Sequence, residues 1–507
     1  MPVLPELLSL VHVQTREATV RRELLFSVGD TVDTTMVAES MRRLRRLRYL
    51  ADARIVGTSC GGPVALAVVT HDAWSLRPGV QVRSSSAAFE LAERNLLGTG
   101  RRAELSLRSD RGRLGVGATL DDPAVLGNRA MVSLGIRRYS DGDAWNATVS
   151  RREQRIDDPW GIELWAGQSR NSPLQSGDAA ASRSFVSGEL FHRGRAGLLA
   201  SHLLGISDDA RTWLQMGVEG ERAGLVSALD VPRIGPSSVR REFAALNIGV
   251  RRRSMAFDTL TWLLPADALV DVPLSLEADV LVGVGRDFIG HGPMVHLDAW
   301  MGKAWRPSTT SLISSDLWVS GYRTARRWSA GTLRGNIGYE RAARRGTWQT
   351  RLGAEWLFDP DPDLGALVTA DPTAGALPDA ARLAEGAIAL SVERDVRLRP
   401  LSRSWALDAA AFTALSTRWD ALMPACESSG CTRFTHRTDE GTLERIDAGI
   451  VGFGLRLAPT RAGRATARLD VGFPVLHSPG VRRQPFLAIS ITPWFENARH
   501  RDGRDTP

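Results

Sequence analysis

The stretch AFELAERNLLGTGRRAELSLRS, residues 88–109, decides how this 507-residue chain is read. In its second half Ala103, Leu105 and Leu107 share one parity, and Arg102, Glu104, Ser106 and Arg108 share the other. A period of two puts the first set on one face of a strand and the second on the opposite face. From Ala87 onward this alternation replaces the helical spacing that precedes it.

Downstream the pattern returns repeatedly. RLGVGATL sets Leu114, Val116, Ala118 and Leu120 against Arg113, Gly115, Gly117 and Thr119. Similar runs are RAMVSLGIR (129–137), TWQTRLGAEWLF (347–358), GAIALSVER (386–394), IVGFGLRLA (450–458), TARLDVGF (466–473) and FLAISI (486–491). A soluble sandwich would show the same period, but its polar parity faces bulk water and favours long charged side chains. Here that parity is rich in Gly, Ser and Ala mixed with Arg and Glu, which suits the curved polar interior of a membrane barrel. Trp145, Trp160, Trp165, Trp300, Trp305, Trp318, Trp328, Trp356 and Trp494 fall near run ends, where girdles at the two membrane interfaces are expected. Connections are tight at Asp110-Arg111-Gly112 and Ser140-Asp141-Gly142 but long at 359–385 and 416–444, the asymmetry of a barrel with short turns at one rim and long loops at the other. The runs number about 16 to 19, and closure within one chain requires an even count, so about 16 strands are expected, with 18 also allowed. Residues 170–271 alternate least regularly.

Upstream the period is helical. In VRRELLFSVGDTVDTTMVAESMRRLRRLRYLADARI (20–55), Val37, Met41, Leu44 and Leu47 form one apolar stripe. Asp33 is the expected N-cap of that helix, and Gly29-Asp30 separates it from a preceding one. LVHVQ (10–14) comes before the helices, and ADARIVGTSC (51–60) and VALAVVTHD (64–72), joined by Gly61-Gly62-Pro63, come after. The order β-α-α-β-β can build a three-stranded sheet with two helices on one face.

This segment resembles a POTRA domain, the periplasmic module of outer-membrane proteins that assemble or translocate other polypeptides. RRELLF, the Gly-Asp turn and MVAESMRRLRRLRYLADARI, with Tyr49-Leu50 leading into the second strand, carry the likeness. Residues 88–109 resemble the first barrel hairpin of the POTRA-barrel superfamily (BamA-like, bacterial surface antigen type), whose turn is here Asn95, Leu96, Leu97, Gly98, Thr99 and Gly100. DDPAVLGNR (121–129) resembles the next turn. The resemblance implies a mainly β chain: a small α+β POTRA-like domain at 1–72, a connector at 73–86, a transmembrane antiparallel β-barrel at 87–495 and a polar tail at 496–507. It implies an outer-membrane location with the first domain in the periplasm, and a part in assembling, inserting or translocating unfolded outer-membrane or secreted polypeptides. Outer-membrane lipid around the barrel and a periplasmic partner on the first domain follow from the same likeness.

In such a protein an exposed sheet edge, here Ala51, Asp52, Ala53, Arg54, Ile55 and Val56, takes up a client as an added strand. The seam, expected at Phe89, Leu91 and Glu93 against Leu487, Ile489 and Ile491, is the weakly paired gate. Family members carry Arg-Gly-Phe or Arg-Gly-Tyr on a long loop that folds into the barrel before its last five strands. The corresponding loop, 359–386, is followed by five strand-like runs but lacks the motif, leaving Arg382 as the candidate inward arginine. Arg42, Arg43, Arg45, Arg46 and Arg48 are expected chiefly as a solvated helix face, with an acidic partner as the alternative.

The formal charge is +7 with a pI near 10.0, and of 64 basic residues only Lys303 is lysine. Arginine is spread along the chain rather than grouped, so the charge does not point to nucleic acid, and none is expected as a partner. No run approaches the roughly 18 apolar residues of a spanning helix, and MPVLPELLSL lacks the plan of a signal peptide. A helical membrane protein is therefore excluded, whereas a secreted or outer-membrane one is not. Cys426 and Cys431 in CESSGC, in a loop expected to face outside, are candidates for a disulfide, and Cys60 is expected as a free thiol. Asp287, His291, His296 and Asp298 match no strong metal signature, and no nucleophile elbow, Walker loop or paired zinc-type Cys motif occurs. Neither an enzyme nor a cofactor is expected. Two other readings stay open: a degenerate POTRA-barrel acting as a passive pore or scaffold, and the membrane anchor of an exported hydrolase whose catalytic part lies outside this sequence.

Overall fold

A computed structural model describes residues 13–47, 49–57, 65–73, 75–83, 86–110, 113–125, 130–140, 142–151, 158–171, 189–227, 239–263, 269–324, 328–358, 384–402, 405–421, 425–427, 430–432, 445–459, 465–477 and 485–493. The first domain contains α1 (Glu17–Glu23), α2 (Thr34–Arg46), β1 (Leu50–Gly57) and β2 (Leu66–Asp72), with the two strands paired antiparallel. Asp33 caps α2, its carboxylate accepting from the Met36 amide at 2.7 Å. The apolar stripe builds the core: Leu44 is fully buried among Tyr49, Leu50 and Ala53, with Val20, Leu24, Leu47 and Val68 packed around them. The α-α-β-β part of the expected order is thus present, while most of LVHVQ and the Gly61-Gly62-Pro63 turn lie outside the described residues.

Among the described residues, twenty further strands close into one antiparallel barrel. They are β3 (Leu76–Arg83), β4 (Ser86–Leu96), β5 (Arg101–Asp110), β6 (Arg113–Val125), β7 (Ala130–Tyr139), β8 (Gly142–Arg151), β9 (Trp160–Asn171), β10 (Glu189–Ile206), β11 (Ala210–Ser227) and β12 (Val239–Ser254). A small hairpin, β13 (Phe257–Leu260) with β14 (Val270–Pro273), interrupts the series before β15 (Glu277–Asp287), β16 (Gly292–Ser308), β17 (Ser311–Thr324), β18 (Trp328–Ala343), β19 (Gly346–Phe358), β20 (Ala384–Ser402) and β21 (Trp405–Ala421). A second hairpin, β22 (Ala425–Glu427) with β23 (Gly430–Thr432), precedes β24 (Arg445–Pro459), β25 (Ala465–His477) and β26 (Phe486–Pro493).

The barrel therefore exceeds the 16 or 18 strands expected, and two places hide strands from the pattern. β3 lies in the stretch expected as a connector, because Pro78 and Gly79 break the alternation that would mark it. In β10, leucines occupy both parities: Leu198 faces outward and is 38% exposed, while Leu199, 3% exposed, turns inward to pack with Trp165 and Leu281. An apolar cluster inside the lumen erases the clean alternation there.

The outer surface is apolar from β4 round to β26. Every barrel strand from β4 to β26 carries at least one exposed large hydrophobic, Leu105 and Leu107 at 60% and 53% among them. Water would not tolerate so continuous a band, whereas lipid requires it. Two rings of tryptophan border it, Trp160, Trp305 and Trp348 toward the rim beside the first domain and Trp145, Trp328 and Trp356 toward the opposite rim, each 41–47% exposed. Trp165, Trp300 and Trp318 are not girdle residues as expected: Trp165 is buried in the lumen, and Trp318 and its register partner Trp300 lie on the inward parity, where the Trp318 indole donates to Asp298 at 3.1 Å. No helix among the described residues is long and apolar enough to cross a membrane, so any crossing is made by strands.

Candidate functional site

The site begins where the barrel closes on itself. Among the described residues, the β26–β3 register pairs Ile489 with Val82 and Ser490 with Gln81. The flanking ladders are far longer: β25–β26 runs from Ala465 with Pro493 to Gly472 with Phe486, and β3–β4 from Leu76 with Glu93 to Arg83 with Ser86. Continuing the seam register toward the first domain would bring Ile491 opposite Val80, Thr492 opposite Gly79 and Pro493 opposite Pro78. Two facing prolines would offer no amide donor to each other, so a ladder extended that far gains nothing there. The two pairs stop short of the prolines, which lie further toward the first domain.

Next to the seam, the β4–β5 turn is a joint between barrel and first domain. Asn95, almost fully buried, accepts from the Gly100 amide at 2.8 Å and donates to the Thr15 hydroxyl at 2.9 Å. The Gly98 carbonyl accepts from the Arg16 amide and from the Thr19 hydroxyl, both at 2.9 Å. Gly98 and Gly100 have φ of +75° and +77°, and a Cβ would stand 2.3 Å from the Gln14 carbonyl oxygen at the first and 2.8 Å from the Tyr49 hydroxyl at the second. Both glycines are needed for conformation and for close approach. Burial, together with the nearby Glu23 carboxylate, holds the Tyr49 phenol well above its usual range, so it stays neutral.

A second joint lies halfway round the barrel, between the tenth and eleventh strands, where the β13–β14 hairpin folds over the mouth. Leu260, Leu263 and Val272 pack against Ala304 and Leu312 on the inner faces of β16 and β17. From outside, α2 grips the hairpin: Arg45 holds Asp271 bidentately at 3.0 and 2.9 Å, and Arg42 and Arg46 lie over the Phe257 ring at 4.8 and 5.3 Å. Asp271 also accepts from the Thr259 hydroxyl at 2.7 Å. Arg43, on another side of the helix, pairs with Glu23 at 2.9 Å. Arg42, Arg45 and Arg46 thus form a docking face rather than the solvated one expected, Arg43 pairs within the first domain, and Arg48 lies outside the described residues.

Inside the barrel, charged residues link strands that are not neighbours. Glu221 on β11 accepts from Arg241 at 2.7 Å, from Arg193 at 3.1 Å and from the Tyr322 hydroxyl at 3.1 Å, although β12, β15 and β16 separate β11 from β17. His296 stacks on Tyr322 at 4.6 Å and reaches Glu219 at 2.5 Å. Glu393 on β20 binds Arg456 at 2.9 Å and Arg468 at 2.8 Å, and Arg456 also pairs with Asp470. Such bonds fold the wall tightly and fill the lumen with side chains on two sides. Alternation marks these residues as inward, but only the folded barrel reveals their partners.

The seam residues expected on the first strand need correction. Phe89, Leu91 and Glu93 lie on β4, the second strand, because β3 precedes it, whereas Leu487, Ile489 and Ile491 lie on β26. Ala51, Asp52, Ala53, Arg54, Ile55 and Val56 form most of β1, which pairs with β2 and with no other strand among the described residues. Five barrel strands follow residues 359–383, a segment that includes Arg382 and lies outside the described residues. Cys426 stands opposite Cys431 in the β22–β23 hairpin, at the rim away from the first domain, and Cys60 lies outside the described residues. Asp287 caps the β15–β16 turn by accepting from the Ile289 and Gly290 amides at 3.1 Å, and no group of three or more His, Cys, Asp or Glu gathers around a metal-sized space among the described residues.

No protein-family model matches the sequence, and no curated protein matches it. Among solved structures, the chain is similar to CdiB from Escherichia coli at 11% identity, covering 95% of this chain and 76% of that one with a TM-score of 0.46. It is similar to CdiB from Acinetobacter baumannii at 10% identity, covering 95% and 72% with a TM-score of 0.39. It is also similar to BamA from Haemophilus ducreyi lacking POTRA domains 1–3, at 10% identity, covering 95% and 85% with a TM-score of 0.34. At these TM-scores the likeness adds no weight to the strand pairing itself.

Proposed function

We propose that the protein is an outer-membrane barrel, with its first domain in the periplasm, that assists the assembly, insertion or translocation of other polypeptides. The observation that carries this reading is the seam, whose pairing among the described residues covers two positions where the flanking ladders run for eight, with prolines further along both strands. A strand edge so poorly satisfied offers backbone groups to an incoming strand, and apolar residues on the neighbouring strands would let the client pass into lipid. The first domain supplies a second edge at β1, where Ala51, Asp52, Ala53, Arg54, Ile55 and Val56 are the proposed place for initial capture. A bridge between Cys426 and Cys431 at the opposite rim belongs to the same picture, since that rim would face an oxidising exterior.

The test is photocrosslinking from an artificial amino acid placed at Val80 or Ile491 by the seam, at Arg54 on β1, and at Ile248 on the opposite wall. Nascent outer-membrane polypeptides should crosslink at the first three and not at Ile248. A second reading, a passive pore or scaffold, is favoured by one observation: residues 359–386 carry no Arg-Gly-aromatic motif. Ion conductance in a planar bilayer with no client adduct at the seam would select it.

A further inference from the structure

Under α1, at the rim beside the first domain, lies a cavity of about 580 Å³ lined among others by Arg16, Arg21, Arg22, Arg101 and Asp122. Its barrel wall is the outward face of β5 and β6, where Arg101 holds Asp122 at 2.7 Å. One step toward the opposite rim the same face turns apolar, with Ala103 opposite Leu120, then Leu105 opposite Ala118 and Leu107 opposite Val116. The cavity therefore opens where the polar rim gives way to the lipid-facing band, the depth at which headgroups lie.

Its charge is positive. Arg21 is occupied by Glu17 at 2.6 Å, and Arg22 approaches Glu23 only at 3.5 Å, through Nε. Arg22 Nη2 is buried without a hydrogen-bond acceptor, and Arg16 has no carboxylate partner among the described residues. Four guanidiniums face one carboxylate in the lining, and counting Glu17 and Glu23 still leaves a surplus of cations. The bonds from Arg16 and Thr19 to Gly98 hold α1 over this space. A planar guanidinium fork suits phosphate oxygens, and the apolar stripe above suits acyl chains.

We propose that this cavity binds the phosphate of a glycerophospholipid headgroup from the leaflet on the first-domain side, with its acyl chains lying along Leu105, Leu107 and Leu120. The proposal rests on the lipid-facing reading of the barrel, not on client handling. Native mass spectrometry of the detergent-purified protein with phosphatidylglycerol, a diacylglycerol of the same chains, and sodium phosphate tests it. The combined variant Arg16→Gln, Arg22→Gln should retain phosphatidylglycerol about tenfold less well, the equivalent of one charge-assisted hydrogen bond. Arg222→Gln, an outward arginine toward the opposite rim, should retain it as the parent does. Equal retention by the double variant, binding of diacylglycerol as tight as that of phosphatidylglycerol, or full competition by inorganic phosphate at equal concentration would overturn the proposal. Each preparation is also run boiled and unboiled on a gel: a parent without a heat-dependent mobility shift refutes the membrane barrel itself, and a variant that keeps the shift has lost only the site.

Discussion

The seam and the wall opposite it are built from the same kinds of residue, yet they close very differently. At the opposite wall, β12 and β15 pair without interruption from Phe243 with Asp287 to Arg252 with Ala278. Arg251 binds Asp279 at 2.9 Å inside it, and Phe243, Ala245, Met294 and Tyr322 form a buried cluster against it. Among the described residues, the seam joins the first and last barrel strands at two positions. Backbone pairing is generic, so it zips wherever the amides exist and the chain ends lie close. Where the partners are the two extremes of the barrel sequence and each strand carries a proline without an amide, fewer pairs hold the edges together.

Locking the seam should erase that contrast with the largest effect. Val82→Cys with Ile489→Cys, in a chain whose Cys60, Cys426 and Cys431 are serine, joins register partners at a separation suited to a disulfide. With about 90% of molecules oxidised, client assembly should fall about tenfold in proportion to the open fraction removed, and recover on reduction. The same bridge between Ile248→Cys and Val282→Cys on the opposite wall should leave assembly unchanged. Equal effects at both places would show that the seam does not open.

The hairpin clamp tests whether the firm side owes its firmness to side chains. Arg45→Ala strands Asp271 in a buried position, and because Thr259 still donates to it the cost should be about 2 kcal/mol, below that of a fully orphaned buried charge. Limited proteolysis within 255–276 should accelerate accordingly, and a second change, Asp271→Ala, should restore part of the loss. An unaltered rate would assign the firmness to the backbone ladder alone.

The smallest effect is expected from mending the seam. Pro78→Thr with Pro493→Thr gives the ladder two amides, each worth about 1 kcal/mol if paired. The temperature at which the unboiled gel band converts to the unfolded one should rise. No rise would mean that something other than the prolines keeps the ladder short.

Much of this architecture was legible in the sequence where one physical rule acts alone. Asp33 caps its helix through a bond to a residue three positions on, and the β4–β5 hairpin alternates because one face meets lipid and the other the lumen. Legibility failed where two demands met. Trp165 and Leu199 obey the lumen's packing instead of the lipid rule, which hid the regularity of the middle strands and misassigned a girdle tryptophan. β3 carries a prolyl break at Pro78 that disguised it as a connector. Arg45 finds its carboxylate in a hairpin 226 residues away, a pairing no local pattern contains.

The two joints of the first domain have a mechanical consequence. A ring split at one point and tied across its mouth cannot spread without stretching the tie. One anchor of that tie, at Gly98, consists of main-chain and hydroxyl bonds beside the split; the other, at Asp271, consists of arginine side chains halfway round the circumference. Were the ring to spread, the side-chain anchor would give first, since rotamers yield before backbone does. Any compliance of the wall would then pass through three arginines on a single helix, Arg42, Arg45 and Arg46.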